Sequence, residues 1–196
     1  LATQLVSQGK ADLLMKGLID TSIIMKAVLD KEIGLRTERL ISHVAAIQVP
    51  TYHKVLLITD AAMNIAPDLM QKKEIIENAV EIAHSLDIDQ PKVAILAAKE
   101  KVSSKMEATV HGQDLKNMNK NGIIEGCIID GPLALDNAVS KESALIKSID
   151  GPVAGDADIL MVPNIESGNI LYKALTFLAN GNTSGIITGT KAPIVL

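Results

Sequence analysis

Five short apolar runs constrain this chain more than anything else in it. Residues 55–59 (Val-Leu-Leu-Ile-Thr), 93–98 (Val-Ala-Ile-Leu-Ala-Ala), 126–130 (Gly-Cys-Ile-Ile-Asp), 159–162 (Ile-Leu-Met-Val) and 184–189 (Ser-Gly-Ile-Ile-Thr-Gly) read as strands buried on both faces. Residues 13–19 and 42–49 add two strand-like runs, the second stopped by Pro50. Helical spacing fills the gaps. Over 21–30 it puts Ile23, Ile24, Ala27 and Val28 on one face. Over 68–86, Asp68 can cap a helix that turns Leu69, Ile75, Ile76, Ala79, Ile82 and Ala83 inward. Residues 104–119 and 133–149 supply two more helices. This alternation predicts an α/β protein, a three-layer α/β/α fold whose mostly parallel sheet is covered on both sides. With 196 residues, 47% of them hydrophobic, the chain can build a sizeable core.

Ligands of such sheets sit beyond the carboxyl ends of strands. The polar residues expected there are Thr59-Asp60, Asp130-Gly131, Asn164 and Thr188-Gly189-Thr190. Residues 155–173 are the most informative stretch. The strand at 159–162 ends at Pro163, and Gly168-Asn169 are expected to open a helix running to about Ala179. Unpaired backbone N–H groups, the helix dipole and Lys173 one turn on would together suit an anion. Thr21-Ser22 open another helix, which carries Lys26. They are either an ordinary N-cap or a place for phosphate.

Other classes fit poorly. A net charge of −4, 2% aromatic residues and no Trp give nothing for nucleic acid to stack on or be drawn to. No segment is apolar for long enough to span a bilayer, and residues 1–8 lack the basic start of a signal peptide; a cytoplasmic protein is expected. His43, His53, His84 and His111 are scattered, so no metal site is expected. Single Cys127 in an apolar run reads as core. Neither a phosphate loop nor a dinucleotide fingerprint is present. Residues 1–8 look helical and 193–196 look like a strand in mid-course, so the chain is expected to be a piece of a longer protein.

Several segments together resemble the phosphate acetyl/butyryltransferase family. They are 34–46 (Gly-Leu-Arg-Thr-Glu-Arg-Leu-Ile-Ser-His-Val-Ala-Ala), 101–110 (Lys-Val-Ser-Ser-Lys-Met-Glu-Ala-Thr-Val), 130–138 (Asp-Gly-Pro-Leu-Ala-Leu-Asp-Asn-Ala), 155–173 and 185–195. Residues 34–37 and 131–137 are closer to phosphate butyryltransferases than to acetyl-specific relatives. The resemblance implies a two-domain fold like that of the isocitrate and isopropylmalate dehydrogenases, with domain one incomplete. Residues 1–51 would be part of domain one, 52–164 domain two, and 165–196 the return segment to domain one. It implies reversible transfer of a short, butyryl-like acyl group between coenzyme A and inorganic phosphate, as in butanoate metabolism. The partners would be a coenzyme A thioester and phosphate or acyl phosphate, in a homodimer or larger homo-oligomer. Coenzyme A is then a substrate, and no metal or redox cofactor is implied. Thr21, Ser22, Lys26, Asn169 and Lys173 become candidates for the phosphate and acyl-phosphate cradle, with Thr190 lining the cleft. The family's Ser-Arg pair and thiol-deprotonating Asp would follow Leu196. Where acetyl-specific members carry Arg, Lys26 offers a point charge without the bidentate fork.

Two rivals remain. One is a non-catalytic oligomerisation or ligand-binding fragment of such an enzyme. The other, a dehydrogenase on the same fold, is disfavoured by the missing dinucleotide fingerprint and metal-binding Asp clusters.

Overall fold

The computed structural model describes residues 1–196, and all strands join one eight-stranded sheet. The strands are β1 (Leu14–Met15), β2 (Ser42–Gln48), β3 (Leu56–Thr59), β4 (Lys92–Leu96), β5 (Ile128–Leu133), β6 (Ile159–Met161), β7 (Asn182–Thr188) and β8 (Ile194–Val195). The helices are α1 (Ala2–Ser7), α2 (Thr21–Val28), α3 (Leu69–Ser85), α4 (Glu107–Lys120), α5 (Leu135–Val139), α6 (Lys141–Ile146) and α7 (Ile165–Leu178). The sheet order is β1-β8-β7-β2-β3-β6-β4-β5.

Strands β3, β6, β4 and β5 are parallel and buried on both faces, whereas the run over 184–189 falls in antiparallel β7 and is mostly only half-buried. The other half is different. β2 is antiparallel to both β3 and β7, β7 is antiparallel to β8, and only β1 and β8 run together. Strands from residues 14–48 and 182–195 therefore make one half of the sheet. Those from 56–161 make the other, and the β2–β3 pairing joins them.

Alternation along the strands feeds two cores. Val44, Leu57, Ile159 and Met161 face α3 and α4, meeting Ile75, Ile76, Ala79, Ala83 and Leu115. Ala45, Ile47, Ile58 and Leu160 face the opposite way, toward Ala138 and the partly buried Leu171 and Leu175 of α7. Each fully buried Ile or Leu contributes roughly 1.5–3 kcal/mol of transfer free energy. A third cluster packs Ile24, Met25 and Val28 of α2 on Leu14, Ile187 and Ile194. Ile23, expected on that inner face, is 59% exposed, and Met25 takes its place.

α3 begins as its sequence dictates. The Asp68 carboxylate accepts from Gln71 N at 2.8 Å, and the Gln71 side chain accepts from Asp68 N at 3.0 Å, a reciprocal capping box. Two expectations are corrected. The helix over 133–149 is broken at Ser140, whose extended backbone ends α5 and whose hydroxyl caps α6 by accepting from Ser143 N. The strand over 13–19 shrinks to two residues, because Gly17 and the exposed Leu18 have nothing to pair with or pack on. No helix is long and apolar enough to cross a membrane.

Candidate functional site

The strand directions place the candidate residues. β3, β4, β5, β6 and β7 run one way, while β1, β2 and β8 run the other. The carboxyl ends of the first set gather Asp60, Asn164 and Thr188–Thr190 on one edge of the sheet. Asp130 does not join them, because it lies within β5; its carboxylate is 2.6 Å from Lys116 Nζ and also accepts from Gly131 N.

Asp60 organises this edge. It is 1% exposed, and its carboxylate accepts from His43 N (3.2 Å), Ala62 N (2.8 Å), Met63 N (2.9 Å) and Asn64 Nδ2 (2.6 Å). Asn64 Nδ2 also donates to Ile41 O at 3.0 Å, fastening the loop after β3 to the approach of β2.

α7 starts earlier than Gly168-Asn169. Its N-cap is Asn164, whose side chain accepts from Ser167 N at 3.0 Å. Ile165 N donates to Ile65 O at 2.9 Å, and Gly168 N to Asn164 O at 3.2 Å. The expected cluster of unpaired N–H groups is thus mostly consumed by the protein itself, and Glu166 places an acid in the first turn. Gly168 sits in the second turn as a contact point: a Cβ there would lie 2.6 Å from Asp60 O. Asn169 Nδ2 donates to Ala61 O at 3.2 Å, and Lys173 is exposed on the third turn.

The start of α2 is also already occupied. Asp20 is the N-cap, accepting from Ser22 N at 2.8 Å and from the Ser22 hydroxyl. These hydrogen bonds hold the Asp20 carboxyl below its usual range. Thr21 and Ser22 are therefore first-turn residues, exposed like Lys26. The far end of α2 touches the Thr190 edge, since Leu35 N donates to Val28 O and Lys191 N to Leu35 O. Thr21 lies about 10 Å back along the helix, at ~1.5 Å per residue. α2 follows β1 and α7 follows β6, which run in opposite directions five strand positions apart. At roughly 4.8 Å per position, the two helix starts are more than 20 Å apart. Thr21 and Ser22 thus lie apart from Asn169, while Lys26, in the last turn of α2, lies toward the Thr190 edge. Thr190 Oγ1 donates to Ala192 O at 2.7 Å.

Two cavities open on the carboxyl edge. One, of about 400 Å³, is lined by Leu29, Arg36, Thr37, Met63, Asn64 and Glu74 among others. The other, of about 330 Å³, is almost wholly apolar and lies between Leu96, Ala97, Leu135, Val162, Pro163 and Leu171. Neither was visible in the sequence, because each is walled by loops distant in the chain. His43 is a second omission. Read along the chain it is one of four scattered histidines, but it is buried in β2 at 6% exposure, with Nδ1 enclosed and without a partner. Burial holds its pKa below the usual histidine value, against the opposing charge of Asp60.

Comparison with known proteins completes the assignment. The family model described as phosphate acetyl/butaryl transferase matches residues 1–196. A probable phosphate butyryltransferase of Bacillus subtilis is 52% identical over 196 residues, covering all of this chain and 66% of the relative. A phosphate acetyltransferase of Thermotoga maritima is 47% identical, again over the whole chain and 67% of the relative. The crystal structure of a branched-chain phosphotransacylase from Enterococcus faecalis superposes with a TM-score of 0.91 at 42% identity, covering all of this chain and 70% of the other. The chain belongs to the phosphate acetyl/butyryltransferase family and has the dehydrogenase-like α/β fold of the phosphotransacylases. It spans about two thirds of the length of these curated relatives.

Proposed function

We propose that the protein containing this chain transfers a short-chain, butyryl-like acyl group between coenzyme A and inorganic phosphate. The observation that carries this reading is the superposition of the entire chain on a phosphotransacylase at 42% identity. A butyryl-like preference is supported by the 52% identity to a probable phosphate butyryltransferase of Bacillus subtilis. The apolar cavity of about 330 Å³ is of a size and chemistry to hold a short aliphatic chain.

In this reaction a thiol with a pKa near ~8.5 must lose its proton before attacking the acyl carbonyl. The carbon–sulfur bond forms as the carbon–oxygen bond to phosphate breaks. Charge grows on the carbonyl oxygen and the departing phosphate, and fixed donors and cations stabilise both. Lys173, Asn169 and Thr190 are proposed to serve on the carboxyl edge, with Lys26 approaching it from the last turn of α2; Thr21 and Ser22, at the far end of that helix, are given no part in the same step. The proposal includes a domain division at residues 51–52 and 164–165, a cytoplasmic homo-oligomer, and coenzyme A as substrate with no resident cofactor. The test is phosphate-dependent thiol release from butyryl-CoA by the full-length protein. Release without phosphate dependence, or none at all, refutes the reading; faster release from acetyl-CoA than from butyryl-CoA refutes the acyl preference.

A further inference from the structure

His43 has no task in the chemistry proposed above, yet the structure builds a place for it. It pairs with Ile187 across β2 and β7, so Gly185, two residues before Ile187, lies on the same face of the sheet. A Cβ on Gly185 would lie 2.7 Å from His43 Nε2, so the ring rests against bare backbone that only glycine leaves open. Nδ1 is enclosed and unpartnered, whereas Nε2 is not among the enclosed atoms and makes no hydrogen bond within the chain. Asp60 cannot serve the ring, because its acceptor positions are taken by His43 N, Ala62, Met63 and Asn64.

A neutral imidazole carries one N–H and one lone pair. Leaving a buried polar atom unpaired costs free energy, and such an atom in a native structure calls for an explanation. The cost is smaller if the lone pair faces the apolar wall and the N–H faces outward, which makes Nε2 the donor. One side of α7 overhangs this region. Asn169, Tyr172, Lys173 and Thr176 follow helical spacing; Asn169 reaches Ala61, and the Tyr172 hydroxyl is 3.3 Å from Thr183 on β7. Thr183 is two residues before Gly185, so the ring, Gly185 and this side of α7 border a common strip of β7.

We propose that His43 contacts the substrate, its Nε2–H donating to the carbonyl or phosphoryl oxygen of an acyl phosphate held above Gly185 beside α7. The inference rests on the acyl-transfer reading. A neutral donor aimed where negative charge grows accelerates such a step without itself gaining or losing a proton.

The test uses the full-length protein and three variants, with butyryl-CoA and phosphate as substrates. His43→Leu removes the donor and should lower kcat by about 100-fold, the usual range for one oxyanion donor, while changing KM for coenzyme A far less. His43→Gln restores an N–H near the Nε2 position and should recover much of that loss. Gly185→Ala should displace the ring and mimic His43→Leu. A folded His43→Leu with wild-type kcat overturns the proposal. Should that variant not fold, nitrogen-15 spectra of histidine-labelled wild type decide. Added butyryl phosphate should shift the His43 signal and leave His53 and His84 unmoved; an unmoved His43 signal at saturation overturns the proposal. A wild type that releases no thiol but whose His43 signal shifts with inorganic phosphate would sink the acyl-transfer reading and keep His43 as an anion contact.

Discussion

Gly168→Ala tests how tightly α7 is seated on the loop that Asp60 organises. In an open helix this change stabilises by about 1 kcal/mol, because alanine is the better helix former. Here the new methyl would lie 2.6 Å from Asp60 O, 2.9 Å from Val162 Cγ2 and 3.1 Å from Ala61 Cα. Two of those three atoms are backbone, so no side-chain rotation relieves the contact and α7 must lift. Overpacking of this kind costs roughly 1–3 kcal/mol. Subtracting the helix gain leaves a net loss of up to about 2 kcal/mol. Lifting α7 also stretches the Asn169–Ala61 hydrogen bond, already 3.2 Å long. The loss should appear in urea unfolding as a lower midpoint at unchanged slope, and as a fall in Tm of about 2–4 °C per kcal/mol. Gly17→Ala is the control: a Cβ there meets nothing within 4 Å, so it should stay within about 0.5 kcal/mol of wild type. If Gly168→Ala proves more stable than wild type while the control is neutral, the close seating of α7 is wrong.

Three further outcomes follow from ionisable groups held by burial or by hydrogen bonds. Cys127 is buried, and desolvation with the nearby Glu77 charge pushes its thiol up to about 11; it should resist a disulfide exchange reagent at pH 7 in the native protein and react promptly once urea unfolds it. His43 and His111 both have folded pKa values depressed chiefly by burial. The unfolded chain takes up protons near pH 6.5 that the folded one refuses, so stability is complete above that pH and falls as pH drops below it. His43 alone sets a slope of at most about 1.4 kcal/mol per pH unit, and His43→Gln should flatten the measured curve. Asp156 adds a lower window. Burial alone would raise its pKa, but hydrogen bonds from Lys92, Lys54 and His53 outweigh that and hold the carboxyl well below the usual range. Its share of stability is present above about pH 4 and is lost as pH falls further.

Much of the fold was legible because it follows from local pattern. Runs such as 159–162 could only be buried, and Asp68 announced the start of α3. Strand direction was not legible. Whether a strand pairs parallel or antiparallel depends on its partners, so the antiparallel pairings around β2 and β7 left no mark in the apolar runs. Gly168 misleads because Gly168-Asn169 are expected to open the helix. Here its lack of a side chain serves a close approach inside the helix, while the cap signal lay in Asn164 and Ser167. Ser140 misled in the opposite way: an apolar periodicity continued across it while its own hydroxyl offered a new helix start. The candidate site was the least legible part. Helix starts at Thr21 and near Asn169 look alike as words, and only the sheet order shows that they face away from each other. His43 gave no signal, since its meaning depends on Gly185, which lies far along the chain.

β8 lies between β1 and β7, yet it follows β1 by about 180 residues along the chain. A ribosome delivers β1 and α2 early and β8 long afterwards. Until then β1 lacks its pairing with β8, and the apolar face of α2 lacks part of what it covers, including Ile194. Residues 14–28 must therefore wait for this pairing while the chain between them and β8 is translated. Such a chain favours slow, late closure of the sheet, and it gives cellular chaperones a defined early segment to hold.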